Sequence, residues 1–170
     1  ERLGASRLVI PDKVRLSSEN TFVVSIYSDA PLILSNLFYT YKNLEPNKCK
    51  ILCLSLNSVL TLTQFMTLKS ETLGGYIRLS AKDWSLTKQL NYDNLSDDVK
   101  KRLLFLFEEL RNVNFPSIIE QLERRFQPRV KLDTEVLKCL GFNELEIENI
   151  LPKIYDALVC ELKAIKDMES

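Results

Sequence analysis

The sequence of 170 residues contains no histidine. Histidine is the usual proton carrier near neutral pH and a common metal ligand, so its absence excludes a His-based acid/base relay, a Ser-His or Cys-His nucleophile pair and a His-ligated metal. Glycine is also scarce, with four residues. None of them forms a phosphate-binding G-x-x-x-x-G-K-[ST] loop or a dinucleotide-binding G-x-G-x-x-G turn. The sequence therefore lacks the common signatures of nucleotide-binding enzymes.

A surplus of charge of either sign is absent as well, because 23 Lys and Arg residues balance 23 Asp and Glu residues. This balance argues against a small free-standing nucleic-acid binder, which is usually strongly basic. The charges are unevenly placed. Residues 1–95 carry 11 basic and 8 acidic residues, whereas residues 96–170 carry 12 basic and 15 acidic residues. We therefore expect an anionic partner to bind the first half.

The four cysteines, Cys49, Cys53, Cys139 and Cys160, include no Cys-x-x-Cys pair. Their spacing matches no common zinc ribbon or finger, so we interpret them as small apolar core residues rather than metal ligands. A chain of this length can bury a core without disulfides. Cysteine usage thus predicts a reducing, cytoplasmic location.

The chain begins without methionine, and a strand pattern starts as early as Arg7. We therefore expect it to be cut from a longer polypeptide. No signal-type segment opens the sequence, and no apolar run approaches 18 residues. The sequence accordingly predicts no membrane span.

Strand patterns dominate the first 45 residues. The alternation of apolar and polar residues predicts strands at 7–10, 13–16, 21–27 and 37–41, the last two separated by Asp29-Ala30-Pro31. A helical period then begins at Pro46 and is interrupted at Asn57-Ser58. Gly74-Gly75 marks a turn before a short strand, and Ser80 is expected to cap a short helix.

From Ser96 onward the spacing of apolar residues is helical. We expect four helices: one capped by Ser96, one opened by Phe115-Pro116, one capped by Asp133 and ended by Gly141, and one started by Asn143 with Glu146. The whole pattern predicts an α+β fold. Residues 1–92 form a small mixed sheet with one or two helices, and residues 93–170 form a four-helix region.

No residues stand out as a catalytic set. The paired carboxylates Asp97-Asp98 and Glu108-Glu109 are adjacent on predicted helices, so their side chains point apart and are expected to be solvated. General acid/base catalysis needs a desolvated carboxylate in a pocket, and the sequence singles out none. We expect no catalysis by this chain alone.

Basic residues near the predicted turns are the candidates for binding an anion. Lysine and arginine near such turns suit phosphate contacts, and an exposed aromatic ring can stack on a base. Lys13 and Arg15 are expected on the outward face of one strand. The candidate DNA-contacting residues are Lys13, Arg15, Lys69, Arg78, Lys82, Lys88 and Tyr76. The alternative is that these charges are merely solvated and that Tyr76 and Trp84 belong to the core.

Several short motifs follow one another in a recognisable order. Leu56-Asn57-Ser58 ends a helix, Glu71–Leu79 contains the glycine turn and strand, and Lys82-Asp83-Trp84 opens the next helix. In this order they resemble the C-terminal specificity region of adenine-specific DNA methyltransferases of restriction-modification type. The runs Ile10–Leu16 and Leu137-x-x-Leu140-Gly141 are similar to the same region.

The resemblance implies a division of labour. In that family an upstream domain binds S-adenosylmethionine, holds the flipped adenine with an Asn/Asp-Pro-Pro-aromatic tetrapeptide and transfers the methyl group. That tetrapeptide is absent here, so the resemblance implies that this chain binds no cofactor itself and recognises double-stranded DNA beside an upstream methyltransferase domain. The stretch Leu86–Leu90 departs from the family, which often has Leu-Pro there.

Two other functions stay open at the level of sequence. The helical half could form a protein–protein interaction module without any DNA contact. Alternatively, the chain could be a small enzyme of unrecognised type, which would require a pocket with a buried carboxylate or lysine of perturbed pKa.

Overall fold

A computed structural model describes residues 5–33, 35, 37–41, 43–68, 70–72, 75–78 and 80–167. The strands within these residues are β1 (Ser6–Pro11), β2 (Lys13–Val14), β3 (Ile26–Leu32), β4 (Phe38–Thr40), β5 (Ser70–Thr72) and β6 (Tyr76–Arg78). The α-helices are α1 (Pro46–Asn57), α2 (Val59–Leu68), α3 (Ala81–Leu86), α4 (Asp97–Leu110), α5 (Ile118–Glu123), α6 (Gln127–Cys139) and α7 (Glu144–Asp167). A 3-10 turn, Tyr92–Asn94, precedes α4.

The α+β class and the four C-terminal helices are confirmed. The strands form two three-stranded antiparallel sheets, with orders β3-β1-β4 and β2-β6-β5, where the sequence predicts one mixed sheet. The chain leaves the first sheet after Pro11, and the N–H of Asp12 donates to Leu37 O at 2.8 Å. Because the chain bends at Asp12, the next two residues pair with β6 instead of extending β1.

The predicted strand at 21–27 is wrong over most of its length, since β3 begins at Ile26 and continues through Pro31. Buried backbone groups need hydrogen-bond partners, and helix side chains supply them before β3. Asn57 Oδ1 accepts from the N–H groups of Val24 and Ser25 at 2.7 and 3.0 Å. These groups are thereby withdrawn from strand pairing. Pro31 is tolerated because β3 lies at a sheet edge.

The break between α1 and α2 falls at Ser58, as predicted. The Ser58 hydroxyl donates to Ser55 O at 2.6 Å and satisfies a carbonyl near the end of α1. Among the described residues, no single helix is long and apolar enough to cross a membrane; α1 and α2 meet that requirement only as a pair, bent by 60° at this break.

Polar side chains begin most of the other helices. Ser80 caps α3 and Ser96 caps α4, both as predicted, and Asp83 completes a reciprocal capping box with Ser80 that was not predicted. Asn143 and Glu146 exchange hydrogen bonds of 2.8 and 3.0 Å before α7, also as predicted. Gly141 follows α6 with a φ of +94°, a conformation that favours glycine and ends a helix.

Two predicted helix starts are wrong. Ser117, whose hydroxyl accepts from Glu120 N, caps α5, so the helix starts after Phe115-Pro116 rather than at this pair. Asp133 does not cap the third C-terminal helix, because α6 already begins at Gln127. Proline in the first turn of α6 suits that earlier start.

One hydrophobic core joins the strands to the helices. Helix α1 packs on β1, β3 and α4, and α2 packs on α6 and α7. Cys49 and Cys53 are buried in this core, as predicted, whereas Cys139 is half-buried. Cys160 is exposed, because it lies on the solvent side of α7, so the prediction of a core position is wrong for this residue.

Candidate nucleic-acid interface

The second sheet separates apolar from basic side chains by simple alternation. Lys13 lies directly opposite Arg78, and Val14 lies opposite Ile77. Ile77 is buried and Val14 half-buried against the core, so Lys13 and Arg78 face the other way and are exposed. Tyr76 lies two residues before Arg78 on this outer face and is 45% exposed. We call Lys13, Tyr76 and Arg78 the basic strand face.

A glycine in the left-handed region precedes this face. Gly75 has a φ of +68°, which favours glycine, and it leads directly into β6. The pairing of Thr72 with Tyr76 places β5 beside it. Gly74, the other half of the predicted turn, lies outside the described residues.

Lys13 and Arg78 repel each other, because like charges directly opposite on neighbouring strands are unfavourable. Asp12 compensates the charge of Arg78 only. Its Oδ2 atom lies 3.5 Å from Arg78 Nε, and its Oδ1 atom accepts a hydrogen bond of 2.9 Å from the Tyr39 hydroxyl. Burial, followed by this contact with Asp12, raises the pKa of Tyr39. Lys13 forms no ion pair within the described part of the chain and is exposed.

The other predicted DNA-contacting residues differ from one another in exposure. Arg15 lies one residue after β2 and is half-buried, with its Nε atom out of contact with solvent. The expectation that it shares an outward face with Lys13 is therefore wrong, because the strand ends at Val14. Lys82 and Lys88 are exposed and form no ion pair with any described residue. Lys69 lies outside the described residues.

The backbone around Lys88 is bound to α2. Gln64 accepts from Lys88 N at 2.5 Å and donates to Lys88 O at 2.9 Å, so one side chain satisfies both backbone groups. The next residue, Gln89, accepts from the Ser55 hydroxyl at 2.8 Å. These bonds orient the backbone that carries the exposed Lys88 side chain.

The two aromatic residues near these cations have different roles. Trp84 is half-buried and packs edge-to-face on Phe65, with ring centroids 5.2 Å apart. This contact places Trp84 against the core, which agrees with the alternative that the sequence left open for it. Tyr76 lies on the outer face of β6 and is exposed.

Basic residues on the C-terminal helices are mostly paired with acids. Lys100 lies 3.8 Å from Asp97, and Arg102 lies 2.6 Å from Glu135. Arg124 pairs with Glu120 at 2.7 Å. The interpretation of the Lys100–Arg102 and Arg124-Arg125 clusters as helix-surface charges is consistent with these pairs. Within these clusters Lys100, Arg102, Arg124 and Arg125 have ion-pair partners, whereas Lys101, like Lys13, Lys82 and Lys88, has none among the described residues.

Sequence reasoning missed a buried polar network between α2, α6 and α7. Asp133 is fully buried and accepts from Arg129 Nε at 2.7 Å, from the Tyr155 hydroxyl at 2.6 Å and from Val59 N at 2.6 Å. Burial and the negative charge of Asp133 raise the pKa of Tyr155. The four-residue spacing of Arg129 and Asp133 on one helix is the sequence signal that could have revealed the pair. With all three donors committed to it, Asp133 has a structural role.

The described ranges contain no candidate metal site, because no three or more Cys, Asp or Glu side chains come together there. Comparisons of the chain with family models, with curated proteins and with solved structures find no match. A functional interpretation must therefore start from the residues themselves.

Proposed function

We propose that the chain is a non-catalytic DNA target-recognition or accessory region of an adenine-specific DNA methyltransferase of restriction-modification type. In this proposal the basic strand face contacts double-stranded DNA. A cytoplasmic methyltransferase domain that binds S-adenosylmethionine supplies the chemistry and is the second partner.

One observation carries the proposal: the directly opposed, exposed cations Lys13 and Arg78, with Tyr76 beside them. An antiparallel ribbon is narrow enough to enter a DNA groove or to follow its phosphates. Binding a phosphate would relieve the repulsion between the two cations, which intramolecular contacts relieve only at Arg78. Lys82 and Lys88 add exposed positive charge, and neither forms an ion pair with a described acid.

The motif residues that suggested the family have structural roles that fit a recognition scaffold. Asn57 binds the backbone before β3, and Ser58 separates α1 from α2. Asp83 belongs to the capping box of α3, and the hydrogen bond from Ser80 lowers its pKa. In the proposal these residues position the strand face and the α3 segment, and the neighbouring cations contact the nucleic acid.

The salt dependence of DNA binding tests the proposal directly. The full chain is titrated onto a fluorescent mixed-sequence DNA duplex at several salt concentrations, and anisotropy gives the affinity. Each phosphate neutralised contributes about −0.9 to the slope of log K against log salt. The double variant Lys13→Gln, Arg78→Gln is therefore expected to flatten the slope by about 1.8 and to weaken binding at low salt.

The matched control is Lys101→Gln, Lys153→Gln, since both lysines are exposed on the C-terminal helices and have no described ion pair. It removes the same net charge and should change the slope by less than half as much. Equal slopes for the two double variants, or no saturable binding by the unmodified chain at low salt, would overturn the proposal. A further variant, Tyr76→Ala, should weaken binding without changing the slope, because stacking releases no counterions.

The alternative of a protein–protein interaction module is favoured by exposed apolar side chains on the C-terminal helices. Phe105 on α4 and Leu145 on α7 are 73% and 70% exposed. Large exposed apolar groups often mark docking surfaces. If docking is the main function, Phe105→Ser should abolish association with the catalytic domain in a pull-down, and the Lys13, Arg78 variant should leave methylation of DNA by the complex unchanged.

A further inference from the structure

Asp12 lies at the bend between the two sheets and is held there by the first sheet. Its N–H donates to Leu37 O at 2.8 Å, and its Oδ1 atom accepts a hydrogen bond of 2.9 Å from the Tyr39 hydroxyl on β4. The Asp12 side chain is only 16% exposed. Its other carboxylate oxygen, Oδ2, lies 3.5 Å from Nε of Arg78 on β6. A carboxylate fixed by the first sheet therefore contacts a guanidinium of the second sheet.

Arg78 is restrained at both ends of its side chain. Its backbone belongs to β6, the central strand of the second sheet, and pairs with Lys13 on one side and Ser70 on the other. At the other end, the ion pair with Asp12 engages Nε. The side chain is 53% exposed, and no hydrogen bond or ion pair from a described residue reaches its Nη1 or Nη2 atom. Because the guanidinium is planar, a contact at Nε orients the remaining N–H groups for a partner with two acceptors.

The opposite cation, Lys13, is less restrained. It lies on β2, an edge strand of two residues, and forms no ion pair with a described residue. An ammonium on a flexible chain is a point charge that suits a phosphate, whereas an oriented guanidinium suits two acceptors in one plane. The two opposed cations thus offer two different kinds of recognition.

The carboxylate beside Arg78 also favours a neutral acceptor over a phosphate. Asp12 repels an incoming phosphate and partly cancels the attraction of the guanidinium for it. The edge of a base carries no net charge, so this repulsion is smaller for a base. Guanine presents two acceptors, O6 and N7, in the major groove, and a bidentate contact to them is the commonest specific contact of arginine with DNA.

We propose that Arg78 reads a guanine in the major groove, that Asp12 and Tyr39 position Arg78, and that Lys13 contacts a phosphate. This inference rests on the proposed function, because it assigns separate roles to the two cations of the basic strand face. The major groove admits a two-stranded antiparallel ribbon. An arginine in the groove lies between the phosphates of both strands and still displaces counterions, so the expected salt slope is the same.

A duplex that lacks the N7 acceptor tests the assignment. The full chain is titrated by anisotropy onto the mixed-sequence duplex and onto the same duplex with every guanine replaced by 7-deazaguanine, which keeps base pairing and charge. The ratio of the two affinities, which we call the guanine ratio, is expected to be at least about fivefold, the lower end for a bidentate base contact. Because the two duplexes carry the same charge, phosphate contacts contribute equally to both affinities.

Two neutral variants separate the roles of the cations. Arg78→Gln removes the two-pronged donor and should reduce the guanine ratio to about one. Lys13→Gln removes the same charge from the neighbouring strand. It should weaken binding to both duplexes equally, so that the guanine ratio is retained.

Two further variants test the positioning. Asp12→Asn keeps an acceptor for Tyr39 but removes the negative charge beside Arg78, so affinity for the 7-deazaguanine duplex should rise while the guanine ratio falls. Loss of folding would instead lower both affinities. Tyr39→Phe removes the hydrogen bond to Asp12 without a change in charge and should also lower the ratio. The control is Asp29→Asn, which removes the carboxylate of a different ion pair, with Arg111, and should leave the ratio unchanged.

Equal affinities of the unmodified chain for the two duplexes would overturn the guanine assignment but not DNA binding, which the salt slope measures separately. A guanine ratio lost equally in Arg78→Gln and Lys13→Gln would overturn the division of roles, and a ratio unchanged in Asp12→Asn and Tyr39→Phe would overturn the positioning. If neither duplex binds saturably at low salt, the inference fails together with the proposed function.

Discussion

The carboxylate of Asp133 caps a helix to which it does not belong. Its Oδ1 atom accepts a hydrogen bond of 2.6 Å from the N–H of Val59, the first residue of α2, although 74 positions separate the two residues. The first N–H groups of a helix have no intrahelical acceptor, and a negative charge at this end is favourable. The same carboxylate binds Arg129 and Tyr155, so three helices meet at one buried group.

Loss of this group should destabilise the fold strongly. Asp133→Ala leaves Arg129 charged and unpaired in the core, for which we expect a loss of about 3–5 kcal/mol in unfolding free energy. Tyr155→Phe removes one neutral donor to a carboxylate and should cost about 1–3 kcal/mol. Urea denaturation monitored by circular dichroism measures both losses.

Asp156→Ala is the control for Asp133→Ala, because Asp156 pairs with Arg125 on the surface of α7. Exposed ion pairs contribute about 0–1 kcal/mol, so this variant should be nearly as stable as the unmodified chain. Comparable losses for Asp133→Ala and Asp156→Ala would show that the buried network does not stabilise the helix junction.

A second prediction concerns Asn57, which binds the backbone of the segment before β3. Asn57→Ala leaves the N–H groups of Val24 and Ser25 without their acceptor, and we expect a loss of about 2–3 kcal/mol. Amide hydrogen exchange at these two residues should accelerate more than exchange in β1. Asn112→Ala, at an exposed asparagine after α4, should cost less than about 0.5 kcal/mol and leave exchange at Val24 unchanged.

A third prediction concerns the pH dependence of stability. Burial raises the pKa of the Cys53 thiol from 9.0 to about 11, although hydrogen bonds with Ser25 and Asn57 oppose this shift. In the unfolded chain the thiol ionises near its ordinary pKa, so between about pH 9 and 11 unfolding releases a proton. Stability should therefore fall with rising pH, by about 1.4 kcal/mol per pH unit from this group.

The variant Cys53→Ala isolates this contribution from the other titrating groups. Its stability should fall less steeply over the same alkaline range, so that the difference between it and the unmodified chain shrinks as the pH rises. Urea midpoints measured at several pH values provide the comparison. Parallel pH profiles for the two proteins would contradict the raised pKa of Cys53.

Local signals in the sequence predicted much of the helical architecture. Pro46, Ser80 and Ser96 start α1, α3 and α4 as expected, and Gly141 ends α6. Each of these residues acts within one turn of its own position, through a cap hydrogen bond or a permitted backbone angle. Such effects need no knowledge of the distant chain.

Structural features that depend on residues far apart in the chain were predicted less accurately than these helix ends. The apolar alternation at 21–27 is typical of a strand, but Asn57 binds its backbone and displaces β3 to Ile26–Leu32. Aspartate is a typical helix-capping residue, and Asp133 does cap a helix. The helix that it caps is α2 rather than its own helix. Periodicity cannot reveal which distant partner a polar group will find.

The same distinction between local signals and distant contacts applies to the candidate DNA-binding residues. Composition and turn signals alone pointed to the basic first half and to Lys13, Arg78 and Tyr76. Only the pairing of β2 with β6 placed Lys13 opposite Arg78, and only packing turned Trp84 toward Phe65 and left Arg15 half-buried.

The sequence by itself determined the α+β class, most helix ends and the uneven distribution of charge, since these depend on propensity, capping and composition over a few residues. Tertiary structure decided the division into two sheets, the capping of α2 by Asp133 and the exposure of the basic strand face. These features depend on which distant groups compete for each backbone N–H and carbonyl, and that competition is settled only when the whole chain packs.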